Sequence, residues 1–202
     1  LSTAILYDLC PDNNINASVK TIVDCPDSMG LSYPANAGWR LWALAKANES
    51  KTILDELRSR WANMDSVKLN NTLSEGWTVS PDSSNQWSHC PVAPLYILYM
   101  SIAGIVPLTA GFGKCQIRPK LADLEQLELT ARTVRGDLTF AANGTLSNRS
   151  LSVTMPAGCT GRLVVDEREN LPLKKEIGRT EDNMAYYILP AGEVSTFTLK
   201  YT

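Results

Sequence analysis

The spacing of apolar residues changes period once along the chain, near Gly104, and that change decides the fold class. Before it, Ile53, Leu54, Leu57, Trp61 and Met64 recur at three- and four-residue intervals, the mark of a helix with one buried face. After it, short runs alternate apolar with polar residues between Gly, Pro and Asn punctuation, which is the strand period. The expected fold is therefore α + β in two domains, a helical part over 1–115 and a strand-rich part over 116–202. Residues 111–119 join them as a short packed connector, because Phe112 and Ile117 are apolar.

In the first part, residues 3–10 fit the end of a helix, and Pro11-Asp12-Asn13-Asn14 is a turn cluster. The apolar segment 19–25 fits either a helix or a strand. Residues 37–47 predict a helix with Trp39 and Trp42 on its core face, and Ser50 is expected to cap the next one. The two form an α-hairpin. Residues 65–86 read as a long polar loop, of the sort that carries function in a compact domain. Ser88 is placed as the cap of a helix over 91–103 whose apolar body predicts burial on nearly all sides. In the second part, strands are expected over 127–134, 137–141, 150–155, 161–165, 186–189 and 195–201, with turns at Arg135-Gly136-Asp137 and Asn143-Gly144. That density of short strands indicates a sandwich. The Arg-Gly-Asp tripeptide is read as a hairpin turn and not as an adhesion signal.

Candidate chemistry gathers between residues 71 and 90. Thr72, Glu75 and Trp77 precede Trp87, Ser88 and His89, the single histidine of the chain. Indole faces stack on sugar C–H groups, a carboxylate binds hydroxyls or activates water, and an imidazole bonds a hydroxyl through either nitrogen. Such residues suit a sugar-binding cleft. Each also has an ordinary structural use, as a core ring, a satisfied histidine or a solvated acid.

Thr72-x-x-Glu75-x-Trp77, Ser88-His89-Cys90, Gly104-Ile105-x-Pro107, Gly111-Phe112 and Ile117-Arg118-Pro119, in this order, closely resemble the α-L-rhamnosidases of glycoside hydrolase family 78. The resemblance is clearest over 61–140. It implies the last helices of an (α/α)6 toroid followed by a C-terminal antiparallel β-sandwich, with Glu75 as general base, His89 touching the sugar, and Trp77 and Trp87 as aromatic walls. The implied reaction is release of terminal α-L-rhamnose by inversion, from a rhamnose-containing carbohydrate. The family's general acid lies on an earlier acidic segment that nothing in residues 1–60 resembles. The chain is therefore expected to be a C-terminal fragment, inactive without the N-terminal remainder of the same enzyme. The alternatives are a non-catalytic carbohydrate-binding or structural fragment, or a six-hairpin glycosidase acting on another sugar.

Composition narrows the partners. A net charge of −2 with scattered basic residues argues against nucleic acid, and the absence of an 18-residue apolar run argues against a membrane span. No clustered Asp/Asn loop calls for calcium and no Cys pair for zinc, so no metal or cofactor is expected. The five cysteines are Cys10, Cys25, Cys90, Cys115 and Cys159; Cys10 and Cys25 fit either a bridge or free thiols. Acceptor patterns at Asn16, Asn48, Asn70, Asn143 and Asn148 favour a secreted protein.

Overall fold

The computed structural model describes residues 1–80, 87–165, 169–170, 178–180, 182 and 184–201, and the chain divides into two compact units, Leu1–Leu98 and Tyr99–Thr202. The helical unit opens with α1 (Ser2–Leu6), a 3-10 turn at Asp12–Asn14 and α2 (Ile15–Asp24), so the ambiguous segment 19–25 is helical. Helix α3 (Pro34–Lys46) starts three residues ahead of expectation, because Pro34 supplies a preset φ at the first helical position, where no N–H is needed. Its buried face is Ala37, Gly38, Leu41, Leu44 and Ala45. Trp39, expected in the core, is 51% exposed, and Trp42 instead stacks on Tyr96 with ring centroids 5.2 Å apart. Lys46, in the last turn, ties α1 to α3 by donating to the Leu6 carbonyl at 2.8 Å and pairing with Asp8 at 2.7 Å.

Ser50 does not cap α4 (Ser50–Glu56). Glu49 holds that position, and Ser50 is itself a buried first residue. The helix continues as a π-helical turn, Leu57–Trp61, which buries Trp61. The expected loop 65–86 begins with a helix, α5 (Asp65–Asn70), closed by Asn71 in the left-handed region at φ 55°. Its last residues, 81–86, lie outside the described ones. The expected helix 91–103 is α6 (Ala93–Ile97) running into a π-helical turn, Leu98–Ile102. Its burial is one-sided: Ala93, Ile97 and Ile102 are buried while Leu95 is open.

The second unit holds, among the described residues, ten strands in two five-stranded sheets. They are β1 (Ile105–Pro107), β2 (Lys114–Ile117), β3 (Gln126–Thr133), β4 (Gly136–Thr145), β5 (Asn148–Thr154), β6 (Thr160–Val164), β7 (Glu169–Asn170), β8 (Gly178–Arg179), β9 (Ala185–Leu189) and β10 (Val194–Tyr201). One sheet runs β1-β2-β6-β9-β8, the other β3-β4-β5-β10-β7. The antiparallel expectation has one exception, the parallel pair of β2 with β6. The expected turn at Asn143-Gly144 is also displaced, since both residues lie within β4 and the hairpin closes between Thr145 and Asn148. Strand alternation turns Leu138, Phe140 and Ala142 of β4, and Leu151 and Val153 of β5, inward. Phe197 of β10 meets Tyr187 of β9 across the two sheets, with centroids 6.4 Å apart.

β2 sits inside the segment expected to be connector and β1 lies just ahead of it, and together they explain the Gly and Pro residues there. Ile105 pairs with Ile117, and Arg118 donates its N–H to the Gly104 carbonyl at 3.0 Å. Gly104 has φ 72°, and a Cβ there would lie 1.9 Å from the Arg118 carbonyl oxygen. Gly104→Ala is expected to destabilise the protein by about 2 kcal/mol, from left-handed strain and backbone displacement together. A chemical-denaturation midpoint measures it.

Candidate functional site

A segment of irregular backbone, residues 71–80, is fastened at three points. The Thr72 N–H donates to the Ser66 carbonyl at 3.2 Å, and buried Ser74 donates its hydroxyl to the Gly76 carbonyl at 2.7 Å. The third fastening comes from a distant stretch: the Ser88 N–H donates to the Leu73 carbonyl at 2.9 Å. Buried polar groups paired in this way hold a loop in one shape without regular secondary structure.

That third tie also presents Glu75. The Ser88 hydroxyl donates to Glu75 Oε1 at 2.9 Å, while the Cys90 N–H donates to Ser88 Oγ at 3.2 Å. Ser88 therefore does not cap α6, whose cap position is Val92. It bridges the carboxylate to the backbone turn that carries His89. Glu75 is exposed and opens on a cleft of about 550 Å³. The cleft is also lined by Tyr33, Ala35 and Asn36 at the start of α3, and by Gly76, Thr78, Val79 and Ser80.

The other sequence candidates divide. Trp77 donates its indole N–H to the Ser32 carbonyl at 2.9 Å, packs edge-on to Trp61 at 5.1 Å, and lies 5.6 Å from the Arg60 guanidinium. It anchors the loop to the helices beneath it. Thr72 directs its hydroxyl towards the Ser66 carbonyl at 3.4 Å, closing the end of α5. Neither lines the cleft. Trp87 is 64% exposed, and His89 is exposed with Nε2 3.8 Å from Cys90 Sγ; neither of these lines the cleft either. The structure thus brings Glu75, Ser88 and the backbone of His89 together.

Tyr33 and Asn36 were not among the sequence candidates. Nothing in local spacing links them to Glu75, about forty residues on. The one available signal was Pro34, which marks the start of α3 but says nothing of a cleft. A carboxylate with one hydroxyl donor, sharing an open cleft with a tyrosine and an asparagine, can bind a polyhydroxylated ligand and take a proton from water. Among the described residues, no group of three or more His, Cys, Asp or Glu side chains is placed to hold a metal ion. No described helix is long and apolar enough to cross a membrane.

A family model described as the bacterial alpha-L-rhamnosidase C-terminal domain matches residues 104–179. Among solved structures, the chain is similar to the Streptomyces avermitilis alpha-L-rhamnosidase complexed with L-rhamnose, at 18% identity and TM-score 0.76, over 98% of this chain and 21% of that one. It is also similar to alpha-L-rhamnosidases from Dictyoglumus thermophilum (14%, TM-score 0.74, 98% of this chain and 25% of that one) and Aspergillus terreus (16%, TM-score 0.69, 98% and 23%). The chain spans a fifth to a quarter of the length of these three proteins. None of the curated proteins matches the sequence.

Proposed function

We propose, from a chain whose residues 104–179 belong to the bacterial α-L-rhamnosidase C-terminal domain family, that it is the C-terminal part of a glycoside hydrolase releasing terminal α-L-rhamnose with inversion. The observation that carries the reading is Glu75, a carboxylate facing an open cleft of sugar-binding size and oriented by the Ser88 hydroxyl at 2.9 Å. In this reading Glu75 is the general base. It accepts a proton from a water on one face of the sugar ring as that water attacks the anomeric carbon. A carboxylic acid on the opposite face, supplied by an earlier segment, protonates the departing oxygen; inverting enzymes hold the two groups about 6.5–9.5 Å apart. In the same reading Tyr33 and Asn36 bind hydroxyls within that cleft, and His89 and Trp87 contact the sugar from beside it.

The same reading makes the six helices the end of an (α/α)6 toroid and the two sheets a β-sandwich. It is supported by large apolar side chains left open on the helical unit, where Tyr7, Leu9 and Trp39 are 61%, 70% and 51% exposed. In this reading the preceding helices of the same enzyme cover them. The five acceptor patterns support a secreted enzyme.

The test is hydrolysis of p-nitrophenyl α-L-rhamnoside by the full-length protein that carries this segment, followed by proton NMR from the first minutes. β-L-Rhamnose appearing first, then mutarotating, is the expected result. α-L-Rhamnose appearing first would overturn the inverting assignment, and no release from this or a natural rhamnoside would overturn the substrate assignment.

A further inference from the structure

Cys115 and Cys159 are both about 1% exposed, and their sulfurs lie 3.7 Å apart. We propose that these two cysteines form the disulfide of this chain when it folds in the presence of a small-molecule disulfide such as oxidised glutathione. Cys10, Cys25 and Cys90, all more accessible, remain thiols.

Backbone placement makes the pair. Cys115 lies inside β2, between its ladders to β1 and β6. Cys159 stands just before β6, in a turn where its N–H donates to the Pro156 carbonyl at 3.0 Å. The neighbouring Thr160 pairs with Lys114 and donates to the Gly113 carbonyl at 3.2 Å, so the parallel ladder begins beside the two sulfurs. A disulfide needs the sulfurs at about 2.05 Å, so they must close by about 1.7 Å. Cys159 lies outside the ladder and can supply that movement by side-chain rotation and a small shift of its turn. The partners it would give up are weak, since Cys159 Sγ otherwise reaches only the Thr160 carbonyl at 3.6 Å.

The bond forms by two exchanges. One protein thiolate attacks a sulfur of the small disulfide, making a mixed disulfide and expelling one small thiolate. The second protein thiolate attacks the protein sulfur of that bond and expels the other. The protein pair gives up two electrons and two protons, and the small disulfide becomes two thiols. Timing follows from burial, which pushes the Cys115 thiol up to about 12, with Cys159 beside it adding to the rise. In the folded chain the Cys115 thiolate is therefore scarce at neutral pH, and burial of both sulfurs excludes the reagent. Exchange belongs to folding, before the two sheets close, and the same burial then shields the finished bond from reductants.

The experiment refolds the fully reduced chain with oxidised and reduced glutathione, quenches in acid, alkylates in denaturant, and maps peptides without reduction. Three alkylated cysteines, a cross-linked peptide joining Cys115 to Cys159, and an unfolding midpoint raised by about 10 °C over the reduced protein are the expected result. In the Cys115→Ala/Cys159→Ala variant the midpoint should no longer respond to the redox buffer. Five alkylated cysteines after refolding, or a bridge between Cys10 and Cys25 in place of this one, would overturn the proposal. The wild-type peptide map decides it even if the variant folds poorly.

Discussion

Glu75→Gln, made in the full-length protein, is expected to lower kcat on p-nitrophenyl α-L-rhamnoside by about 10²–10⁴-fold while KM changes little, the signature of a lost general base. The substitution is chosen for what it keeps. A glutamine carbonyl oxygen still accepts the Ser88 hydroxyl that now bonds Glu75 Oε1 at 2.9 Å, so the loop retains its tie to the turn carrying His89. Volume and cleft shape are also retained, and the one property removed is the capacity to take up a proton. A residue that only bound the sugar would behave differently. Its loss would raise KM in proportion, and turnover at saturating substrate would survive. Steady-state kinetics on the two proteins, with matched denaturation midpoints to exclude unfolding, separates these outcomes. Unchanged turnover would remove Glu75 from the mechanism.

How much of this was legible in the sequence depends on the distance over which each feature is determined. The helical and strand halves were readable because side-chain periodicity is a local consequence of backbone geometry. Ile53, Leu54, Trp61 and Met64 are buried as their spacing predicts. Trp39 is the informative failure. Its size and apolarity say core, yet the face of α3 that packs inward is the small-residue face with Ala37, Gly38 and Leu41. A Cβ on Gly38 would lie 3.3 Å from the Ala93 side chain and closer still to the Tyr96 hydroxyl, so a larger residue would have to push the Tyr96 ring aside. Spacing alone does not choose between two possible faces of one helix; the partner helix does.

The site shows the same division. Glu75 and the turn at 88–90 were visible as residue types in a short window, but the role of Ser88 was not. Both a helix cap and a loop tie use a serine hydroxyl beside a turn, and only tertiary placement shows that this one donates to Glu75. Trp77 likewise reads as an available aromatic, until the Ser32 carbonyl and the edge contact with Trp61 show it fastening the loop. Tyr33 and Asn36 were illegible for the opposite reason: their residue types are ordinary, and only the fold carries them to the carboxylate.

Glu56→Gln is expected to destabilise the helical unit by about 3–5 kcal/mol, although it lies outside the cleft and changes almost no volume. Glu56 is 7% exposed and pairs with Arg40, itself largely buried. Arg60 stands 3.9 Å from the same oxygen, and the Trp61 indole N–H donates to the other at 3.4 Å. Arg40 meanwhile donates through Nε to the Ile22 carbonyl at 3.0 Å, which ties α2 and α3 into one charged junction. Burial pulls the Arg40 guanidinium below its ordinary range, Cys25 opposes that and Arg60 adds to it. A guanidinium does not give up its proton at neutral pH, so removing the carboxylate leaves a largely buried cation without the partner that neutralises it. The paired variant Arg40→Met/Glu56→Leu removes both charges and refills the space, and it should recover most of the loss. Urea midpoints of the wild type, Arg40→Met, Glu56→Leu and the double variant give the coupling directly. If Glu56→Gln alone left the midpoint unchanged, the junction would be a screened surface pair and the burial argument would fail.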